Sequence, residues 1–159
     1  MTKKTQMSVG AALSASATLA VTMMAATNAT AVPQCEIVSL LAGQTLDVGF
    51  VKVCPDSDLT ITLKTDEPWC IKRAHVAVEE FSEDIPQTKS GNPIPGRFPY
   101  KFYNDTCQSE VRFEGIPSAG DPNVIAAHAE VKNKYTGAKE TAWGDGFPFP
   151  GANWATYFV

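Results

Sequence analysis

Beyond residue 31 the hydrophobic side chains recur at every second position, a spacing that suits a strand and defeats a helix. In Asp58–Thr65, Leu59, Ile61 and Leu63 alternate with Thr60, Thr62 and Lys64. In Gln108–Glu114, Val111 and Phe113 alternate with Glu110, Arg112 and Glu114. Such alternation marks half-buried antiparallel strands. Thr45–Val53 puts Leu46 and Val48 in one phase and Val51 and Val53 in the other, so a β-bulge near Gly49 is expected to absorb the slip. Further strands are expected at Glu36–Leu41, Trp69–Glu79, Phe98–Tyr103, Asn123–Lys132, Lys139–Trp143 and Trp154–Val159. Asn133–Gly137 reads as a hairpin turn in which Gly137 takes positive φ. The eleven prolines fall almost wholly outside these runs, as a ladder that uses its backbone N–H groups requires. Only the Ala-rich Val124–Val131 is ambiguous between helix and strand. The expected fold is all-β, an antiparallel two-sheet β-sandwich of about eight or nine strands.

The first 31 residues follow a different rule. Lys3 and Lys4 form a short basic region, Val9–Ala26 carries no charge, and Ala29-Thr30-Ala31 offers the small-x-small pattern of a signal-peptidase site. Residues 1–31 are therefore read as a cleaved signal peptide, and residues 32–159 as a single secreted domain with a core of useful size. A transmembrane anchor is the weaker reading, because the stretch is rich in Ala, Ser and Thr. No later apolar run is long enough to span a membrane. Loss of the two lysines takes the formal net charge from −4 to −6. An acidic, dispersed balance argues against nucleic acid or an anionic membrane as partner.

All four cysteines lie in the predicted mature part, and an even count behind a signal peptide implies two disulfides. Three pairings are open. Cys35 and Cys54 flank one short two-strand segment, and Cys70 begins a strand that must return near Cys107. The expected bridges are therefore Cys35–Cys54 and Cys70–Cys107. There is no C-x-x-C pair, which disfavours a zinc ribbon or a thioredoxin-type site.

Two segments break the strand rhythm. Glu80–Arg97 contains Pro86, Pro93, Pro95, Gly91 and Gly96, and Gly144–Asn153 reads GDGFPFPGAN. Stiff loops on a β scaffold are favoured places for binding. Aromatic residues crowd the same end of the chain: Trp143, Phe147, Phe149, Trp154, Tyr157 and Phe158. Flat rings suit sugars, whose C–H faces stack on them while polar neighbours meet the hydroxyls. Phe147 and Phe149 each precede a proline, which holds the backbone extended. The candidate ligand-binding set is Trp143, Phe147, Phe149 and Asn153, helped by Asn92 and Arg97. Core packing is the competing account, and it is preferred for Trp154 and Phe158.

Four stretches together resemble a known kind of module: LLAGQTLDVGFVKV (Leu40–Val53), DIPQTKSGNPIPGRFPYK (Asp84–Lys101), VIAAHAEV (Val124–Val131) and ETAWGDGFPFPGANWATYF (Glu140–Phe158). The chain resembles an extracellular β-sandwich domain that recurs in secreted and surface proteins of microbes, often beside other modules. The resemblance runs from Ile37 to Val159. It implies location and module type, and it brings no catalytic residues.

Other chemistry finds less support. The only histidines are His75 and His128, each in an expected strand. A metal would need a third ligand such as Glu130, and no spacing motif supplies one. In Trp69–Glu79, strict alternation puts Cys70, Val76 and Val78 on one face and Ile71, Arg73, His75 and Ala77 on the other. The acidic group Glu79, Glu80, Glu83 and Asp84 lacks the pattern of a calcium loop, and neighbouring carboxylates in one loop are a poor glycosidase pair. There is no G-x-S-x-G, no G-x-G-x-x-G and no P-loop. No cofactor and no metal are expected. Asn104-Asp105-Thr106 is an N-x-T sequon, so Asn104 is a glycosylation site if the source is eukaryotic. The functional expectation is a secreted, non-catalytic binding or structural module whose partner is an extracellular glycan or protein, with room for self-association. A carbohydrate-binding module using the aromatic loop is the first alternative and a secreted hydrolase the second.

Overall fold

The computed structural model describes residues 34–159, so the expected signal peptide lies outside the described residues. Ten strands follow in order: β1 (Glu36–Ala42), β2 (Leu46–Pro55), β3 (Leu59–Thr65), β4 (Trp69–Glu79), β5 (Tyr100–Gln108), β6 (Glu110–Ile116), β7 (Val124–Asn133), β8 (Lys139–Gly144), β9 (Phe147–Pro148) and β10 (Thr156–Tyr157). The sole helical element among the described residues is one 3₁₀ turn at Pro95–Arg97. Val124–Val131 is strand, as its pairing with both β4 and β8 requires.

β1 to β8 form one antiparallel sheet in the order β5-β4-β7-β8-β1-β2-β3-β6, and β9 and β10 form a two-stranded ribbon. This differs from the expected sandwich of two facing sheets. The two halves, β5-β4-β7-β8 and β1-β2-β3-β6, are joined edge to edge by the β1–β8 pairing, which spans only Leu40↔Gly144, Leu41↔Trp143 and Ala42↔Ala142. Alternation records which residues face inward but not which strand edges meet, so one short ladder turns two sheets into one. The sheet curls until it is nearly a barrel. β4 approaches β3 and β6 across the interior, and the Ser109 carbonyl between β5 and β6 accepts from Thr65 N at 2.8 Å.

The interior is lined by Leu40, Val51, Leu59, Ile61, Leu63, Ile71, Val76, Ile125, Ala127, Ala129 and Val131. The expected bulge lies where foreseen: Val48 and Gly49 stand between the pairs Ser39↔Phe50 and Leu41↔Asp47. It brings Val48 inward beside Val51 and Val53. Gly49 has φ 150°, and a Cβ there would meet the Lys64 carbonyl oxygen at 2.0 Å. A second bulge, at Lys72, falls between the pairs Ile71↔Val131 and Arg73↔Glu130. It corrects the facing read from strict alternation, because Ile71 joins Ala74, Val76 and Val78 in the interior.

The disulfides are Cys35–Cys54, tying the start of β1 to β2, and Cys70–Cys107, tying β4 to β5, both as expected. The Asn133–Gly137 turn also forms. Asn133 Oδ1 accepts from Tyr135 N and Thr136 N, and Gly137 has φ 77°.

A second apolar cluster lies on the outer face of β4, β7 and β8. Ala77, Val124, Ala126 and Trp143 are covered there by Ile85 in the first Pro-rich loop and Phe98 just after it, and by Phe149 in the second and Ala155 just after it. The two loops are laced together: Gly151 N donates to the Gly91 carbonyl, and Asn153 N donates to Asn92 Oδ1 at 3.0 Å.

Candidate functional site

The outer face of β4, β5, β7 and β8 changes character along the strands. At one end Ala77 pairs with Ala126 under the loops. In the middle His75 pairs with His128, and His128 with Trp143. At the other end Arg73 pairs with Glu130, Glu130 with Thr141, and Arg73 with Tyr103. The loops do not reach that end, and it opens as a groove of about 780 Å³ lined by Lys72, Arg73, Tyr103, Asn104, Asp105, Glu130, Val131, Lys139, Glu140 and Thr141. Its volume falls in the range of small-ligand sites.

The groove is built on strands, so its side chains stand on a fixed scaffold. Tyr103 is 57% exposed. The Arg73 guanidinium sits 5.9 Å from the centre of its ring and forms an ion pair with Glu130 at 3.2 Å. Lys72 Nζ donates to the Asp105 carbonyl oxygen, holding the end of β5 against β4. Asn104 Oδ1 accepts from Thr106 N and Thr106 Oγ1, each at 3.0 Å, which fixes the irregular stretch of β5 before Cys107. The sequon therefore lies on the groove wall. Three cations (Lys72, Arg73, Lys139) face three carboxylates (Asp105, Glu130, Glu140).

Beneath the groove the two histidines meet. Their Nδ1 atoms are 3.0 Å apart and His75 Nε2 is 3.2 Å from Tyr103 Oη. Burial holds both imidazoles below their ordinary pKa, His128 down to about 3 with a further push from His75. Among the described residues no group of three or more His, Cys, Asp or Glu side chains is arranged to hold a metal ion.

The residues expected to bind ligand lie elsewhere. Trp143 and Phe149 are 4% and 3% exposed and pack edge to face, with ring centres 6.5 Å apart, so neither presents a ring to solvent. Phe147 is 56% exposed and leans on Tyr157 with ring centres 5.8 Å apart. Asn92 spends its amide oxygen on the Asn153 backbone. Arg97 is exposed in the 3₁₀ turn. The structure thus does bring the two Pro-rich loops together, but through hydrogen bonds from backbone N–H groups, with Phe149 turned into the fold and Phe147 left exposed. The glycines of the second loop serve that packing: a Cβ on Gly146 would meet the Tyr157 carbonyl oxygen at 2.2 Å, and one on Gly144 would meet the Phe158 ring at 2.7 Å. A shallow depression beside Phe147 is lined by Phe81, Tyr157, Val159, Glu80 and Glu83. In that region Glu79 has its carboxyl pKa raised by burial and then by Asp84.

Sequence reasoning missed Tyr103, Lys72, Lys139 and Glu140. They are single polar residues on three strands, Lys72 on β4, Tyr103 on β5 and Lys139 and Glu140 on β8, and a solvated strand face reads the same way. No protein-family model, curated protein or solved structure matches the chain.

Proposed function

We propose that this is a secreted, non-catalytic binding module that holds an oligosaccharide in the groove over β4, β5, β7 and β8. The observation that carries the reading is an exposed tyrosine ring set among hydrogen-bonding side chains on rigid strands. A ring face receives sugar C–H groups, and the rim of amide, carboxylate and cationic groups meets hydroxyls. Equal numbers of cations and carboxylates on the wall suit a neutral, hydroxyl-rich ligand better than a strong anion. Two disulfides suit an oxidising, extracellular setting. Among the described residues no helix is long and apolar enough to cross a membrane.

The test is a glycan array followed by calorimetry on the purified protein and on Tyr103→Ala and Phe147→Ala. The expected result is glycan binding that falls at least about tenfold in Tyr103→Ala and stays unchanged in Phe147→Ala, roughly the loss of one stacked ring. Loss in Phe147→Ala alone would move the site to the aromatic loop. Binding to no glycan would sink the carbohydrate reading and point to a protein partner.

A further inference from the structure

Side chains from three neighbouring strands make one hydrogen-bonded chain from the groove into the fold. Tyr103 on β5 reaches His75 on β4 at 3.2 Å, and His75 reaches His128 on β7 at 3.0 Å. The His128 ring lies against Trp143 on β8, with centres 4.8 Å apart. Tyr103 is exposed, whereas His75 and His128 are 4% and 6% exposed. We propose that His75 and His128 are positioning residues for Tyr103, so that the place of the groove's exposed ring follows the protonation of the buried pair. The proposal rests on the reading of that groove as the binding site.

The chemistry follows from counting hydrogens. Two facing Nδ1 atoms share one hydrogen: one nitrogen donates and the other accepts. The neutral pair meets this demand. A first added proton is also accommodated, because His75 then donates from both nitrogens, to His128 Nδ1 and to Tyr103 Oη. The phenol becomes the acceptor in that bond, and its own O–H is released to turn elsewhere. A second proton places two N–H groups and two positive charges head to head in a site with little water, and the pair must part. Tyr103, bonded to His75, moves with it.

The surrounding charges set the order of the two steps. Arg73 on β4 and Lys101 on β5 oppose a charge on His75, and Glu130 on β7 favours it. Trp143 on β8 faces His128 with an uncharged ring, and Phe98 and Phe149, which pack on Trp143, bring no titratable group. The first proton therefore goes to His75, beside Glu130, and the second to His128, where burial and the charge on His75 both oppose it.

The experiment is side-chain NMR on the whole protein, labelled at His and Tyr, from pH about 7.5 to about 2.5, a range that takes in the depressed His128 titration as well as that of His75. Wild type is compared with Tyr103→Phe, an exposed change that deletes only Oη, and with His128→Asn. In wild type the Tyr103 ring signals should move first with the His75 midpoint, below 6.5, as the phenol turns from donor to acceptor, and again as His128 takes the second proton. In Tyr103→Phe the His75 midpoint should shift, and in His128→Asn the second step should vanish. Tyr103 signals that ignore the His75 titration, or two histidines that titrate independently near their ordinary value, would overturn the proposal. If His128→Asn does not fold, wild type and Tyr103→Phe still decide it. No ligand is used, so failure here leaves the glycan reading to its own assay.

Discussion

Replacing Phe149 with Ala is the sharpest probe of how the Pro-rich cover is held. Phe149 is 3% exposed and packs edge to face on Trp143 and on Tyr157, with the Tyr157 ring centre 5.1 Å away. Buried Phe→Ala changes cost about 3–5 kcal/mol, the spread depending on how far neighbours collapse into the hole. Collapse is hindered here, because the loop is pinned by the Gly151–Gly91 and Asn153–Asn92 bonds and cannot slide inward. The upper part of that range is therefore expected, a fall in Tm on the order of 10–20 °C for a domain of this size. Phe147 is the internal control. It lies two residues away in the same Phe-Pro context but is 56% exposed, and its main packing partner is Tyr157. Phe147→Ala should cost less than about 1 kcal/mol. Thermal and denaturant unfolding at pH 7 with the disulfides intact measures both. Equal effects from the two variants, or a loss below about 1 kcal/mol for Phe149→Ala, would refute the assignment of Phe149 as a wedge between loop and sheet.

Acidification should destabilise the fold through the buried histidines. His128 has its folded pKa near 3 against an ordinary 6.5, so the unfolded chain takes the proton first and stability falls as pH drops from 6.5 toward 3. At pH 4.5 this one group accounts for about 3 kcal/mol by linkage. His75 acts in the same direction, and Glu79, whose pKa is raised, offsets part of the loss near its own titration. Unfolding measured at pH 7 and 4.5 should show the loss in wild type and a smaller one in His128→Asn; a flat wild-type profile would contradict it. Removing Cys70–Cys107 by paired Ser substitution should cost about 4 kcal/mol and removing Cys35–Cys54 about 3, since the first closes the longer loop, 37 against 19 residues of separation. Denaturant midpoints check the order, and a reversed order would mean that native-state effects outweigh chain entropy.

What could be read in advance was whatever repeats locally. Leu59, Ile61 and Leu63 announce their own inward face, and the phase slip across Gly49 announces its bulge, because both are recorded within one strand. The bulge at Lys72 leaves no such trace. Cys70 and Ile71 are both apolar, so either one fits the interior, and only the pairing with β7 decides for Ile71. The join of β1 to β8 is less legible still, since three residue pairs separated by the whole length of the domain carry it.

The aromatic loop shows why the site was harder to read than the fold. Phe-Pro-Phe-Pro describes a stiff extended segment equally well whether its rings face water or the sheet. The deciding fact is across the molecule: β4 and β7 offer Ala77 and Ala126 on their outer faces, residues too small to fill the space beneath a loop. Phe98, Trp143 and Phe149 fill it. Where the small residues give way to His75, His128, Arg73 and Glu130, the cover ends and the face becomes polar. The boundary between covered and open sheet is thus set by the step from alanine to histidine on two paired strands. Moving that boundary makes a direct test. Ala126→Ser leaves volume nearly unchanged but sets a hydroxyl under Phe98 and Phe149, with its donor lacking a polar partner among these rings. It should cost about 1–3 kcal/mol, and hydrogen exchange should show the loss as faster opening of residues 85–98 and 149–155, with β1 to β3 unchanged. Uniform acceleration across both halves of the sheet would instead mean that cover and barrel unfold as one unit, and the idea of a separately held cover would fail.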